Sequence, residues 1–302
     1  MLKKVLLATV AVAAVAAGAV SAQAQDVFRV GILGGENEAD RLRNNQCLVD
    51  LLPEAIGVKE VKLFPAADYD GVIQGLLGGT LDYAELGASG YAKVYLADAE
   101  AVDPVLTTQQ VDGATGYYSI MLAKKESAIN TIEDMKGKKL GFADPDSTSG
   151  FLVPSVALPV QLGMSLDEYF SDTGFGGGHE NTVLEMLKGN FDASVTWSSG
   201  VGEYEDGYTS GNIRKMVDKG LLDMNDVVEV WRSPLIPNGP IVVSNKLDTD
   251  VRAKFIAFMK TMPEAHPDCF ASVQGGQYKD YIDVDHSFYE TIVAARKAKI
   301  GS

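Results

Sequence analysis

The segment Asp144-Pro-Asp-Ser-Thr-Ser-Gly-Phe-Leu-Val-Pro154 joins two predicted elements and decides the fold. The apolar run 139–143 before it predicts a short strand, and residues 150–162 predict the beginning of a helix. The first N–H groups of a helix have no intrahelical partner and lie at the positive end of the helix dipole. Residues 147–149 add three neutral hydroxyl donors to this strand-to-helix turn, so the pattern predicts an anion-binding site.

The same hydroxyl groups have a purely structural alternative. Serine and threonine are preferred N-cap residues, so Ser147 or Ser149 could serve only to begin the helix. The turn by itself leaves both interpretations open, and the remainder of the chain is needed to choose between them.

Residues 1–24 have the pattern of a secretory signal peptide. The basic start Met1-Leu-Lys-Lys4 precedes an apolar run, 5–20, and the small-residue site Ser21-Ala-Gln-Ala24. An uncleaved anchor helix is the alternative, but the run is rich in alanine and thin for a spanning helix. We therefore expect cleavage near Ala24 and an exported, soluble protein.

The charge balance excludes several kinds of partner. The chain has 26 Lys and Arg against 41 Asp and Glu, a formal net charge of -15. Such an acidic protein is not expected to bind nucleic acid or an anionic membrane surface. A small anion is still possible, because neutral donors in a desolvated cleft can bind one.

Strands and helices alternate along the rest of the chain, which is typical of βαβ units and a largely parallel sheet. The length suits two lobes better than one core. The predicted strands are residues 27–33, 58–64, 81–86, 102–107, 117–124, 139–143, 191–197, 226–231 and 241–245; the predicted helices are residues 36–52, 68–77, 89–96, 131–134, 150–162, 180–188, 249–262 and 288–298; residues 204–212 are predicted to be a loop.

The same pattern restarts midway, which predicts an α/β protein of two lobes with two mixed, mostly parallel sheets. Two irregular segments, 109–116 and 233–240, suggest that the chain crosses a hinge twice. Residues 25–112 and 239–302 form the predicted first lobe, and residues 113–238 form the second. Ligands of open α/β sheets bind beyond the carboxyl ends of the strands, so the facing turns predict a cleft between the lobes.

The two cysteines, Cys47 and Cys269, suggest one disulfide bond, because the chain is expected to be exported. In the predicted topology the C-terminal segment returns to the first lobe, which would bring Cys269 into the lobe that holds Cys47. Two buried free thiols are the alternative.

Other candidate side chains lie near the ends of predicted elements. His179 follows Gly176-Gly-Gly and precedes a helix, so it could donate to an anion, although a lone histidine is more often structural. His266 and His286 have no comparable context. Five aromatic residues either pack in the core or line the cleft: Tyr69, Tyr91, Tyr117, Tyr118 and Trp197.

Enzyme and cofactor motifs are missing from the sequence. It has no G-x-S-x-G, H-E-x-x-H or C-x-x-C motif, and no acid is identified that would orient a Ser147–His179 pair. Asp144-x-Asp146-x-Thr148 resembles the start of a calcium loop, but Gly150 is one place late and Ser155 stands where a bidentate glutamate is needed. We expect no catalysis, no metal and no cofactor.

A set of segments occurs in the order typical of one family: the signal peptide, Tyr69-Asp-Gly-Val-Ile-Gln-Gly, Gly116-Tyr-Tyr-Ser119, residues 144–154, Gly178-His-Glu180 and Ser233-Pro-Leu-Ile-Pro237. Together they resemble the phosphonate-binding periplasmic component of an ABC importer, in the phosphate, phosphite and phosphonate solute-binding family. The resemblance spans nearly the whole chain after residue 24, and the triple-hydroxyl turn is its most specific motif.

The resemblance implies a type II periplasmic binding protein that closes on its ligand. It implies a periplasmic monomer without a cofactor that delivers a phosphonate-type anion to an ABC permease in the inner membrane. The hydroxyl triplet and the histidine hold the phosphonate oxygens in that family. The ligand-binding residues implied here are Ser147, Thr148, Ser149, His179, Tyr69 and Tyr117.

Two positions depart from family members that prefer 2-aminoethylphosphonate and hold its ammonium with two carboxylates. Ser199 and Gly239 stand at those positions here, and both are neutral. The acids of residues 203–206 or Glu85 are the alternatives for pairing with an amine, and otherwise the ligand lacks one. The predicted ligand is 2-aminoethylphosphonate or a small alkylphosphonate, with phosphite or phosphate as the alternative. A receptor for an organic acid or polyamine, or an exported phosphorus-ester hydrolase, is less favoured by the motif.

Overall fold

The computed structural model describes residues 26–301, and the predicted signal peptide lies outside the described residues. The strands are β1 (Val27–Ile32), β2 (Glu60–Pro65), β3 (Tyr83–Glu85), β4 (Val102–Gln110), β5 (Gly116–Lys124), β6 (Lys139–Phe142), β7 (Asp172–Phe175), β8 (Ala193–Ser198), β9 (Val227–Arg232), β10 (Ile236–Pro237), β11 (Pro240–Ser244) and β12 (Tyr278–Asp283). The α-helices are α1 (Glu38–Ile56), α2 (Tyr69–Leu77), α3 (Ala88–Ala97), α4 (Val153–Leu162), α5 (Leu166–Tyr169), α6 (His179–Leu187), α7 (Asn212–Asp218), α8 (Thr249–Ala265), α9 (Pro267–Gln274) and α10 (Glu290–Ile300). A π-helical turn, Thr148–Leu152, precedes α4, and short 3-10 turns lie at Lys125–Ser127, Ile132–Met135 and His286–Tyr289.

The described strands form two mixed sheets of six strands each. The first sheet has the order β12-β4-β11-β3-β1-β2, and β1 to β4 run in one direction, opposite to β11 and β12. The second sheet has the order β10-β5-β8-β6-β7 with β9 also beside β5, and among these strands only β5 runs opposite to the others. The predicted α/β fold with two mixed sheets is confirmed, and four of the ten described strand pairs are parallel, namely β1–β2, β1–β3, β6–β7 and β6–β8.

The chain connects the two sheets twice along its length. It passes from the first sheet to the second between β4 and β5, and it returns between β10 and β11. Both passages lie in the segments that are predicted to cross a hinge, 109–116 and 233–240. The lobe boundaries near residues 112 and 238 stay a prediction.

The sequence analysis predicts no element at α5, β7, α7, β10, α9 or β12, and three of these show how weak the local pattern is. Helix α7 has seven residues and begins after Gly211 without a side-chain cap, directly after the predicted loop. Helix α9 has eight residues and begins with Pro267. Strand β12 lies at the edge of its sheet and exposes Lys279 and Asp280, so its residues do not show a regular apolar alternation.

Each sheet is covered by helices on both faces, and alternate residues of its strands pack into the two opposite cores. On one face of the first sheet, Phe28 of β1 packs in a cluster with Leu52 of α1 and Phe255 of α8. On the other face, Val242 of β11 packs with Ile73 of α2 and with α3. Each fully buried leucine or phenylalanine contributes about 2 kcal/mol of transfer free energy. None of the helices within residues 26–301 has the length and apolar character needed to cross a membrane.

A disulfide bond joins Cys47 of α1 to Cys269 of α9, with the two Cα atoms 5.8 Å apart. The predicted pairing is therefore present in the structure. The bond closes a loop with a sequence separation of 222 residues, so it ties the C-terminal segment to the first helix and restricts the unfolded chain.

We expect the double substitution Cys47→Ser and Cys269→Ser to lower the free energy of unfolding by about 2–5 kcal/mol, because a native disulfide restricts the unfolded state. Urea unfolding of both proteins measures the difference. As a control, the unreduced wild-type protein should give no reaction with a thiol reagent until it is denatured and reduced. A reactive pair of thiols in the unreduced protein, or equal stability of the two proteins, would contradict this prediction.

Candidate functional site

The hydroxyl triplet lies where the second sheet meets the helix α4. The turn Thr148–Leu152 is a single π-helical turn, a geometry that is frequent at functional sites. Ser147 is its N-cap, and its Oγ accepts a hydrogen bond of 3.0 Å from the Gly150 N–H. The structural and the anion-binding interpretations of this turn are therefore compatible, because an N-cap serine keeps its own proton to donate.

Gly150 is required by the close packing inside this turn. A Cβ atom at this position would lie 2.4 Å from the Ala143 Cβ and 2.7 Å from the Ser147 Oγ. The segment therefore needs glycine directly after its three hydroxyl residues, each of which is at most 2% exposed.

His179 begins α6 and contacts the triplet from a second turn of the same sheet. Its Nε2 lies 3.0 Å from the Ser147 Oγ, and its Nδ1 is buried with no hydrogen-bond partner in the described part of the chain. Ser147 Oγ has two acceptor lone pairs, so it can accept from both the Gly150 N–H and a protonated Nε2 and keep its own proton for a ligand. Nδ1 is then a buried nitrogen without a partner among the described residues, although buried polar atoms normally have one.

Burial determines the charge of this histidine. Desolvation lowers the pKa of His179 to about 3, with Lys215 adding to the effect and Glu36 opposing it. The ring is therefore neutral near pH 7, and it contacts Ser147 without adding a positive charge to the site.

Two tyrosines also contact the triplet, Tyr69 from a helix of the first sheet and Tyr117 from a strand of the second sheet. Tyr69 is the first residue of α2, and its hydroxyl interacts with the Ser147 side chain. Tyr117 lies on β5, and its hydroxyl interacts with Ser149 and Thr148. Burial raises the pKa of both tyrosines, so both keep their protons and act as neutral donors.

These side chains surround one cavity of about 250 Å³ between the two sheets. All six predicted ligand-binding residues contribute to its wall: Ser147, Thr148, Ser149, His179, Tyr69 and Tyr117. The remaining wall includes residues that the sequence analysis does not select: Glu36, Asn44, Asn45, Tyr83, Thr108, Lys215, Asn238, Gln274 and Tyr278.

The two sides of the cavity are in direct contact at its mouth. The Ser89 N–H, at the start of α3, donates to Thr148 Oγ1 at 2.8 Å. Asp146 accepts from Lys93 at 2.8 Å and from Arg296 at 2.5 Å, both of which lie on helices beside the first sheet. These contacts hold the hydroxyl turn against the first sheet.

Glu36 forms a second set of contacts across the cavity. It lies 3.3 Å from Lys215 and 3.6 Å from Lys219, and the nearby lysines hold the pKa of its carboxyl below its usual value. Lys219 also pairs with Glu180 at 2.7 Å. A signal for Glu36 exists in the sequence, since it follows Gly34-Gly35 at the end of β1. Lys215 has none, because it lies on the unpredicted helix α7.

Only one of the carboxylates that the sequence analysis names as partners of a ligand amine lies in the cavity wall. Glu203, Glu205 and Asp206 are exposed and lie outside the cavity wall, whereas Glu85 is part of it. Gly239 also lines the cavity, but a Cβ there would lie 2.1 Å from the Leu86 carbonyl oxygen, so this backbone leaves no room for an acid.

Ser199 is buried and lies outside the cavity wall. Its hydroxyl is 3.0 Å from Thr209 Oγ1 and accepts from the Ser210 N–H. Ser199 therefore stabilises the loop after β8, and it is not placed to contact a ligand in this cavity.

Comparisons with known proteins agree with this geometry. Residues 30–289 match the family model of the ABC transporter, phosphonate, periplasmic substrate-binding protein. The chain is 29% identical to the phosphate-import protein PhnD of Mycolicibacterium smegmatis over 78% of this chain and 71% of the relative. It is 27% identical to the phosphonates-binding periplasmic protein of Escherichia coli over 78% of this chain and 65% of the relative.

Solved structures share the fold. A binding-protein component of an ABC phosphonate transporter from Pseudomonas aeruginosa matches with a TM-score of 0.76 and 25% identity, over 91% of this chain and 87% of the other. A protein of Prochlorococcus marinus in complex with methylphosphonate matches with a TM-score of 0.75 and 18% identity, over 91% of this chain and 98% of the other. The folds of these two solved structures therefore agree with the arrangement of two sheets described above.

The burial of His179 predicts a specific dependence of stability on pH. The unfolded chain protonates this ring below pH 6.5, whereas the folded protein resists protonation down to about pH 3. The unfolded state therefore binds more protons in this window, and stability falls as the pH falls from 6.5 towards 3. Between pH 6.5 and 5 the expected loss from this group is about 2 kcal/mol.

We expect His179→Gln to remove that part of the acid sensitivity, since glutamine does not titrate. Urea unfolding of both proteins at pH 7 and pH 5 gives the stability difference of each, which should be smaller in the variant by about 2 kcal/mol. An equal difference in the two proteins would show that His179 is not held neutral by the fold.

Proposed function

The chain belongs to the family of periplasmic phosphonate-binding proteins of ABC transporters, and on that premise we propose that it captures a small phosphorus oxyanion between its two lobes. The observation that carries this proposal is the convergence of neutral donors on one cavity. The N-terminal turn before α4, the hydroxyl triplet, two tyrosines and His179 all line it. We propose Ser147, Thr148, Ser149, His179, Tyr69 and Tyr117 as the ligand-binding residues.

Neutral donors suit a tetrahedral oxyanion in an acidic protein. Hydroxyl groups and helix N–H groups can surround several oxygens at once, and the helix dipole favours the negative charge. The nearest acid on this turn, Asp146, is balanced by Lys93 and Arg296, so the local field is less negative than the total charge suggests. A net charge of -15 for the whole chain is therefore compatible with anion capture.

The cavity is larger than an oxyanion head group needs. Its volume of about 250 Å³ would hold roughly eight water molecules at liquid density. The named relatives import phosphate or bind phosphonates, so the head group is shared and the rest of the ligand differs between them. We propose a phosphonate with a short organic substituent, either 2-aminoethylphosphonate or a small alkylphosphonate, and we keep phosphite or phosphate as the alternative.

Delivery to a permease requires a protein that opens and closes. We propose that the two lobes, 25–112 with 239–302 and 113–238, close by hinge motion at the two passages between the sheets. The Ser89–Thr148 hydrogen bond and the ion pairs of Asp146 would form on closure. We further propose that the protein acts as a periplasmic monomer after cleavage near Ala24 and presents the closed form to an ABC permease in the inner membrane.

The Ser147–His179 contact gives the rival hydrolase hypothesis its only support among the described residues. A serine and a histidine 3.0 Å apart resemble a nucleophile and its base. However, no described residue accepts from His179 Nδ1, so the third group of a triad is missing. The family is one of transport binding proteins. We propose binding without turnover, which phosphorus NMR of a phosphonate or phosphate ester incubated with the protein can verify.

We expect the double substitution Ser147→Ala and Thr148→Ala to weaken binding of the ligand by at least about 100-fold. Each lost hydrogen bond to a charged group is worth about 1.5–3 kcal/mol, and two such bonds are removed. Isothermal titration of wild type and variant with 2-aminoethylphosphonate, methylphosphonate, phosphite and phosphate measures the effect. Circular dichroism verifies that the variant, which also loses an N-cap, is folded.

Ser155→Ala is the matched control for this experiment. Ser155 is also buried and lies on α4, but its hydroxyl donates to the Leu152 carbonyl at 2.9 Å and lies outside the cavity wall. Its loss should leave ligand affinity within about twofold of wild type. Unchanged affinity in the Ser147→Ala, Thr148→Ala double variant would refute the proposed site.

A further inference from the structure

Glu85 is a carboxylate of the cavity wall that is not part of the proposed oxyanion site. That site, called the cradle below, consists of the hydroxyl triplet 147–149, His179, Tyr69 and Tyr117. Glu85 is the last residue of β3, and its Oε1 accepts three hydrogen bonds. The donors are Gln274 Nε2 at 2.7 Å, the Tyr83 hydroxyl at 3.0 Å and the Tyr281 hydroxyl at 3.5 Å. Three neutral donors on one oxygen hold the carboxylate in a single orientation.

The second oxygen of Glu85, Oε2, is in a different situation. It accepts no hydrogen bond from residues 26–301, and it is not fully enclosed by protein atoms. Since Glu85 lines the cavity, Oε2 is the oxygen that a molecule in the cavity can reach. A carboxylate oxygen is only an acceptor, so it requires a donor from that molecule.

The negative charge of Glu85 also lacks a basic hydrogen-bond partner among the described residues. Its three partners are a glutamine and two tyrosines, whereas Glu36 in the same cavity faces two lysines. Lys215 acts on Glu85 only as a more distant charge, and burial raises the pKa of the Glu85 carboxyl. A desolvated carboxylate without a nearby cation is costly, and a cationic ligand group would offset that cost.

The position of Glu85 suits a short ligand. Gly87, two residues further along the chain, lies against the cradle, because a Cβ there would be 2.8 Å from Thr148 Oγ1. Two residues of chain span at most about 7 Å. Glu85 and the hydroxyl turn are therefore neighbouring parts of one cavity wall, close enough for one small molecule to contact both.

We propose that Glu85 forms a second subsite, in which Oε2 accepts from a protonated amine on the ligand and so selects phosphorus oxyanions that carry an ammonium group. This inference rests on the proposed function, because the cradle must first hold the oxyanion. Ligands with an alkyl substituent or no substituent leave Oε2 without a donor. A hydroxyl group on the ligand could donate to Oε2, but it would leave the negative charge unbalanced.

The test compares two ligands that differ only in the amine. 2-Aminoethylphosphonate and ethylphosphonate have the same carbon chain, and isothermal titration gives their affinities for wild type and for Glu85→Gln. Wild type should bind the amine at least about tenfold more tightly, as expected for a hydrogen bond to a charged group. Glu85→Gln, which keeps the shape of the side chain, should abolish that preference while retaining its affinity for ethylphosphonate.

Glu36→Gln is the matched control. It removes a carboxylate from the same cavity, but one whose charge is balanced by Lys215 and Lys219. This substitution disturbs the ion pairs across the cavity, so we expect it to change both affinities together. The ratio of the two affinities should stay that of wild type.

The outcomes separate this inference from the proposed function. If wild type binds neither phosphonate, phosphite nor phosphate, the proposed function fails and this inference fails with it. If wild type binds the two phosphonates equally, or Glu85→Gln weakens both equally, the oxyanion site stands and the ammonium subsite is overturned. The ammonium subsite is also overturned if Glu85→Gln loses more affinity for phosphate than for 2-aminoethylphosphonate. Glu85 would then accept a hydrogen bond from a P–OH group of phosphate.

Discussion

The hydrogen bonds of the Ser147 hydroxyl connect the parts on which the binding site depends. This one group accepts from the Gly150 N–H and contacts His179 Nε2, so it joins two strand-to-helix turns of the second sheet. It begins the helical turn that points N–H groups at the cavity, and it orients a neutral imidazole beside them. The absence of a Cβ at Gly150 allows this contact, since any larger residue would displace Ala143 or Ser147.

The first sheet completes the site by closing over this turn. Ser89 donates to Thr148, and Lys93 and Arg296 both bind Asp146, so the segment before the triplet is held from the opposite side. Two glycines allow the close approach elsewhere at the mouth, where a Cβ on Gly35 would lie 2.7 Å from the Gly178 Cα. Cavity shape is therefore a property of the contact between the sheets and of neither sheet alone.

Two acids near the anion-binding turn and the cavity are balanced by lysine or arginine. Asp146 and Glu36 each face two cations, and the cradle itself is neutral. Of the two acids in the cavity wall, Glu36 and Glu85, Glu85 is the one whose described hydrogen-bond partners are all uncharged. A balanced head-group site beside an unbalanced carboxylate is the arrangement expected for a zwitterionic ligand.

The order of strands and helices and the hydroxyl turn with its glycine follow from local pattern, since apolar periodicity and cap residues are encoded within a few neighbouring positions. Local pattern indicates the hydroxyl triplet 147–149 and His179 as candidate anion-binding residues, and the family resemblance implies Tyr69 and Tyr117 as well. The structure brings all six residues to one cavity. The short helix α7, the edge strand β12 and the contacts of Lys215 could not be predicted, because weak local patterns acquire their conformation from distant partners. The same reason explains Glu85. Its neighbours in sequence indicate a strand end, and only packing against Gln274 and Tyr281, almost two hundred residues away, shows which oxygen is left for a ligand.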